Sequence, residues 1–380
     1  MTKRYLPLIM AILIAGSFIV PAFAQQIDSI SESPFDGTIE GSIFRHSNTP
    51  SSGSASSNEE DSIIPASGIE ILLDGPVQYK AVTDVNGKYL FSGVPNGKYE
   101  VSIISEIYGD SETIEVLIES NAPHVLIEDV FLGSTYYMFA GINDYNAVYF
   151  GEYCMKYMHN AFSNYNVLAK ATDRFVGEEF IKADFIDYFK NIGTLIDSRD
   201  TFVFYYYGTV YENELDGKIY LSCRDSVISN GKPDFQTMIS AEEISSVMNE
   251  YFINEPNTFF ILEGAYTDEF AKELMRTVDV PLGILAAAYG GMWFEVSNVD
   301  NGLMSHGLRL SIDINIATQT ARCDLNNDGC VTIGEMVSGV QEFVSLYTIF
   351  ISQEVSYHAN AGFRDDAKFF KHLDYDFSEL

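Results

Sequence analysis

Two rhythms of apolar and polar residues divide the chain. Between Gly37 and Leu132 they alternate in short runs: GTIEGSIF, GIEILLDG, the stretch Ala81 to Ile104, then ETIEVLIES and VLIEDVFL. A period of two is what a strand with one buried face requires. About seven short strands at regular spacing predict a small β-sandwich over residues 36–132. Asn86-Gly87 and Asn96-Gly97 are expected to supply the positive-φ residues of tight hairpins. SNTPSSGSASSNEEDS, residues 47–62, offers nothing to a core and reads as a disordered loop within the sandwich.

From Tyr136 the period changes. YYMFAGINDYN reads as a strand and loop, and Ala147 to Asn166 as a helix. A second helix lies within ATDRFVGEEFIKADFIDYFKNIG, with Phe180, Phe185 and Phe189 on one face. The strand TFVFYYY and the short strand KIYLSC follow. The helix AEEISSVMNEYF opens with a capping box, Ser240 with Glu243 three residues on. The strand NTFFILE, a helix over Tyr266 to Thr277, and the strand LGILAAAY come next. Strands alternating with helices predict a mainly parallel sheet covered on both faces, in an α/β domain over residues 135–352. The tail, residues 353–380, is aromatic and acidic. It is expected to be a closing helix on the sheet or a short docking tail.

The chain's front reads as an export signal. Residues 1–24 join Lys3 and Arg4 to an apolar run from Leu6 to Val20 and an Ala22-Phe23-Ala24 cleavage site, with residues 25–35 as linker. No later segment is long and apolar enough to span a membrane. The expected location is therefore secreted or cell-surface, without a membrane span in the mature chain. Charge sharpens this picture: 22 basic against 54 acidic residues give a formal net charge of −32. Nucleic acid is excluded as a partner, because a phosphate backbone needs a basic face. Four cysteines are too few for a disulfide scaffold, and their three pairings are indistinguishable from sequence.

Two families are resembled. TDVNGKYLFSGVPNGKY, ending at Tyr99, resembles the carboxypeptidase-regulatory-like (prealbumin-like) β-sandwich domains, which act as spacers and adhesive modules. Over residues 135–350 an ordered series of short motifs resembles the caspase/metacaspase clan of cysteine peptidases. These are AGINDY after the first strand, Ala171-Thr172, FVFYYYG, LSCRD (Leu221 to Asp225), ISAEEI (Ile239 to Ile244), FFILEGAYTDEF, AAAYGGMWFEVS and GLMSHGLRLSI. The resemblance implies a caspase-like α/β fold, with a His and a Cys at two neighbouring strand ends. Here Thr209 stands at the His position and Ala265 at the Cys position, 56 residues apart. A methyl group cannot attack a carbonyl, and a threonine hydroxyl has no pKa for proton transfer near neutrality. Glu263 and Asp225 stand at acidic positions of the family, Glu263 where the acid reads a basic substrate side chain. They either line a residual peptide-binding cleft or merely cap helices and meet solvent. Cys223, at a strand end, is the one rival nucleophile.

One chemical motif is complete. DLNNDGCVTIGE, Asp324 to Glu335, fits the calcium loop D-x-[DN]-x-[DN]-G-x₅-E. Asp324, Asn326 and Asp328 would give oxygen ligands, Cys330 its carbonyl, Thr332 a bridging water and Glu335 a bidentate carboxylate. Gly329 permits the turn, and a helix over Met336 to Tyr347 follows. The preceding SIDINIATQTAR reads as strand or irregular chain, so a half EF-hand of dockerin type is expected. The resulting expectation is an exported, calcium-binding, catalytically inactive caspase-like protein that binds or scaffolds peptide or protein segments. The rivals are an active peptidase using Cys223 and a purely structural surface protein.

Overall fold

A computed structural model describes residues 37–46, 63–104, 114–120, 122–142, 151–166, 168–287, 295–296, 301–315, 320–326, 329–347 and 354–371. The expected export signal and the loop 47–62 lie outside these residues. The described part is rich in β-structure, with several sheets and six α-helices.

The N-terminal strands form two sheets that face each other across one core. In one sheet, Gly37–His46 is central. It pairs antiparallel with Ile63–Pro65 and Lys88–Val94, and parallel with His124–Leu126 and Val130–Phe131. The other runs Tyr79–Val82, Glu70–Asp74, Gly97–Ile104, Ile114–Ile118, all antiparallel. Alternation works as expected. Ile39, Ile43, Ile71, Leu73, Tyr89, Phe91, Tyr99 and Val101 are buried together, while residues between them face out.

The two turns differ from expectation. Gly87 is left-handed (φ 72°), and the Asp84 carboxylate accepts from the Asn86 and Lys88 amides. Yet this turn leads from one sheet into the other, and so does the Asn96-Gly97 turn. Both lie between strands that are never paired. The inward residues decide this: Phe91 and Val94 point into the core from one side, and Tyr99 and Val101 from the opposite side. At the second turn, positive φ falls on Gly93 (69°), not on Gly97.

The α/β part follows in chain order as β1 (Thr135–Gly141), α1 (Gly151–Tyr165), β2 (Ala169–Val176), α2 (Lys182–Leu195), β3 (Thr201–Tyr207), α3 (Ala241–Tyr251), β4 (Asn257–Glu263), α4 (Thr267–Thr277), β5 (Leu282–Ala286), α5 (Leu303–Ile312), α6 (Ile333–Tyr347) and β6 (Ser356–Ala359). The sheet order is β2-β1-β3-β4-β5-β6. The first five strands are parallel, and β6 runs antiparallel to β5. Every residue of β1, β3, β4 and β5 is buried. Helices cover both faces, so these strands need apolar residues at every position and not at alternate ones. On one face Phe202, Phe204 and Phe260 meet Phe185 and Phe189 of α2 and Phe252 beyond α3. On the other, Tyr137, Phe139 and Phe259 pack with Phe162 of α1 and with α5 and α6.

Three readings are corrected. ATDRFV is strand β2, hidden from the pattern because Ala169, Thr172 and Asp173 interrupt its apolar run. Phe180 precedes α2 but packs on its Phe185. The tail beyond 352 is neither helix nor docking tail where described, since β6 completes the sheet and Lys368–Phe370 pairs with Val331–Thr332. Two hydrogen bonds pin β6 to the first turn of α4: Ser356 Oγ and His358 Nε2 lie 2.5 and 2.7 Å from Asp268 Oδ1.

Phe189 touches the rings of Phe185, Phe202, Phe204, Phe252 and Phe260 and is fully buried. Phe189→Ala should cost about 3–5 kcal/mol, read as a lower denaturation midpoint in urea.

Candidate functional site

β3 and β4 are neighbours in parallel register, Tyr207 opposite Glu263. Both chains turn just beyond. The Gly208 amide donates to the Glu263 carbonyl at 3.1 Å. A Cβ on Gly264 would stand 2.3 Å from the Gly208 carbonyl oxygen, so the two turns approach as closely as only glycine permits. Thr209 and Ala265, each two residues past the register pair, are thereby brought side by side at the carboxyl edge of the sheet. Both are partly exposed. Parallel α/β sheets present reactive groups at this edge. Here the edge offers a hydroxyl and a methyl. The Thr209 carbonyl is engaged by the Ser222 amide (3.0 Å), Ser222 Oγ (2.7 Å) and Tyr206 Oη (2.7 Å).

Glu263 lies inside the fold. Its carboxylate is fully buried and fastens α5 to the sheet. Oε1 accepts from the Met304 amide (3.1 Å), and Oε2 accepts from the Ser305 amide (3.0 Å) and Tyr205 Oη (3.0 Å). Ser305 Oγ also donates to Oε2. A Cβ on Gly302 would lie 1.9 Å from Oε1, so the helix start can close on the carboxylate only through glycine. Burial pushes the Glu263 pKa up to about 7, against the pull of the Ser305, Tyr205 and Met304 hydrogen bonds. The same burial, with Glu263 beside it, raises the Tyr205 phenol well above its usual value.

Asp225 is exposed, and its Oδ1 accepts from the Lys182 amide at 3.0 Å, at the first residue of α2. Both acids accept from amides at helix starts, Glu263 at α5 and Asp225 at α2. Cys223 is fully buried. Its thiol lies 3.4 Å from both Ser226 Oγ and the Thr237 carbonyl, and burial pushes its pKa up to about 12. A thiol this far above neutrality carries almost no thiolate at pH 7. Cys223 and Cys323 carry free thiols.

The acidic loop is folded around its own carboxylates. Gly329 is left-handed (φ 84°) at the position that needs it. Asp324, almost fully buried, accepts the Gly329 amide on Oδ2 at 3.0 Å. Glu335 reaches back to the Leu325 amide (3.0 Å) and the Thr332 amide (2.9 Å), while Thr332 Oγ1 accepts from the Glu335 amide. Thr332 thus caps α6 with Glu335 as the reciprocal partner. Cys330 and Val331 are buried, and Asn326 is exposed. Asp328 lies outside the described residues. Among the described residues no three His, Cys, Asp or Glu side chains cluster as a metal would require. The segment entering the loop is a two-residue strand, Thr320–Ala321, preceded by Ile314–Asn315, and not a helix.

Sequence reasoning missed Tyr205 and Ser305, which make Glu263 a structural group. Both lie in stretches quoted for the resemblance, Tyr205 in FVFYYYG and Ser305 in GLMSHGLRLSI, but neither is marked there as a site residue, and only the topology brings β3 and α5 to that carboxylate. Among the described residues no helix is long and apolar enough to cross a membrane.

In sequence the chain matches no family profile and no curated protein. Some solved structures are similar to parts of it. Protein GSU0716 from Geobacter sulfurreducens is 10% identical, with a TM-score of 0.42 over 63% of this chain and 100% of that one. BcpA, the major pilin subunit of Bacillus cereus, is 19% identical, with a TM-score of 0.18 over 26% of this chain and 30% of that one. A DUF3823 family protein from Bacteroides ovatus is 12% identical, with a TM-score of 0.18 over 26% and 44%. At these scores none bears on function.

The Glu263 environment makes a signed prediction. Its pKa in the folded chain exceeds its unfolded value of about 4.3. Between pH 4.5 and 7 the folded state therefore binds more protons than the unfolded state. The contribution of Glu263 to stability is greatest below pH 4.5 and falls as pH rises to 7. Glu263→Gln removes this slope. The difference in unfolding free energy between variant and parent should change across that window and level off above it.

Proposed function

We propose that this is an exported, non-catalytic caspase-like protein that serves as a calcium-binding scaffold or binding module at the cell surface. One observation carries the reading: Ala265 stands beside Thr209 at the carboxyl edge of the sheet, where the resembled peptidases hold a Cys and a His. The parallel register of β3 and β4, with Thr209 and Ala265 each two residues beyond it, supports the caspase-like reading. The β-sandwich ahead of it supports a spacer or adhesive role, as the prealbumin-like resemblance implies. The rival reading, a peptidase acting through Cys223, is disfavoured because that thiol is sealed in the core and protonated.

The acidic loop suits calcium. Asp324, Asn326, Asp328 and Glu335 would supply side-chain oxygens, Cys330 its carbonyl and Thr332 a bridging water. Left-handed Gly329 and the Asp324 bond to its amide favour this fit, because they put the sharp turn at the position the motif assigns to it. Calcium there would supply charge neutralisation and stiffness, not reaction chemistry. Millimolar affinity, as in extracellular modules, would make it a structural site.

Two measurements test these statements. Iodoacetamide, applied to the native calcium-loaded protein at neutral pH and mapped by mass spectrometry, should leave Cys223 unlabelled until unfolding. Rapid labelling would return the peptidase reading. Calcium chloride at about five times a millimolar dissociation constant should raise the unfolding temperature by about 2–4 °C over EGTA. No shift would remove calcium from the account.

A further inference from the structure

Residues 364–371 cross the amino edge of the sheet as a strap and end on the acidic loop. At one end the Arg364 amide and carbonyl bond the Asn257 side chain at 2.8 and 3.0 Å, where β4 begins. The strap then meets the first turn of α6. The Gly334 amide donates to the Asp365 carbonyl (2.7 Å), and the Ile333 amide to the Ala367 carbonyl (2.9 Å). Thr332 pairs with Lys368 and Val331 with Phe370. At the far end Tyr137 Oη and Asn166 Nδ2 donate to the Phe369 carbonyl, and the Lys371 amide donates to Asn166 Oδ1. The rings of Phe369 and Phe370 are buried against Phe162 of α1.

The four residues that hold the strap, Val331 to Gly334, lie between the loop's ligand positions. Cys330 precedes them, Thr332 is one of them, and Glu335 follows. A change in the loop's backbone cannot leave these pairings untouched, because one turn of chain carries both. We propose that the acidic loop and the C-terminal strap are a single coupled unit. Calcium on the loop locks the strap, and its removal releases Phe369 and Phe370 from α1. This rests on the calcium reading above and adds what the metal controls. Linkage makes the coupling reciprocal: whatever loosens the strap weakens calcium binding by the same factor.

Hydrogen exchange read by mass spectrometry on the full chain, in calcium chloride and in EGTA, tests this directly. Calcium should slow exchange in peptides covering 364–371 by about 5-fold or more, with sandwich peptides unchanged. Phe370→Ala touches no proposed oxygen ligand, and should weaken calcium binding in calorimetry by about 5-fold or more. If it does not fold, Tyr137→Phe, which deletes one hydroxyl, should weaken binding in the same direction. If calcium gives neither heat nor protection, the calcium reading falls and the coupling with it. If calcium binds and protects the loop, while the strap and the variants' affinities stay unchanged, the coupling alone is overturned.

Discussion

A fully buried carboxylate sits where β3, β4 and α5 meet, and the carboxyl edge of the sheet is arranged around it. Taking Glu263 out of water is costly, so its oxygens must find donors elsewhere. They find the amides and hydroxyl at the start of α5 and the phenol of Tyr205. A helix N-terminus is a suitable place for a negative charge, since its unsatisfied amides and dipole both favour it. The fastening fixes the last residue of β4, and through Gly208 and Gly264 it fixes the positions of Thr209 and Ala265. Group and helix therefore define the tip together. Removing either would leave buried polar atoms unmatched, which costs more than the bond itself contributes.

The opposite edge of the sheet depends on the chain's last described residues. β6 covers the side of β5 that a five-stranded parallel sheet would leave open, and exposed strand edges invite unwanted pairing. Asp268 holds it there from the first turn of α4, with Lys272, Ser356 and His358 all bonded to one carboxylate. The strap beyond it carries two phenylalanines into the core beside α1. So the chain end, which reads as an appendage in sequence, supplies both an edge strand and part of the interior.

How legible all this was depended on whether a signal was local. The buried strands TFVFYYY and NTFFILE announce themselves as unbroken apolar runs, and the Ser240 capping box is a four-residue signature that the structure reproduces. β2 was not legible, because an edge strand of the sheet tolerates Thr172 and Asp173 where an interior strand could not. The sandwich turns were recognisable as turns, but which strands they would join was not. Glycine permits a turn, while pairing is decided by residues such as Ile39 and Phe91 far apart in sequence. At the site, the resemblance singled out Thr209 and Ala265, and the strand register sets both just past the carboxyl ends of β3 and β4. The roles of Glu263 and Asp225 were not legible, because a carboxylate aimed at a ligand and one aimed at a helix start look the same in one dimension. Tyr205 and Ser305, 100 residues apart, carried no signal of this pairing.

The turn from β4 into α4 shows why backbone strain alone is poor grounds for chemistry. Tyr266 is left-handed (φ 58°), a conformation that costs a non-glycine residue about 1 kcal/mol or more. Such strain clusters at active sites, and this one lies beside Ala265 at the carboxyl edge of the sheet. The surroundings explain it without a reaction. Glu263 must stay inside to hold α5, Gly264 must pass within touching distance of Gly208, and Thr267 must begin a helix whose hydroxyl returns to the Gly264 carbonyl at 3.0 Å. The chain makes this connection through three residues, and the left-handed one is Tyr266. The sharp turn is what the sheet-to-helix connection requires, whether the residue it displays is a nucleophile or, as here, an alanine.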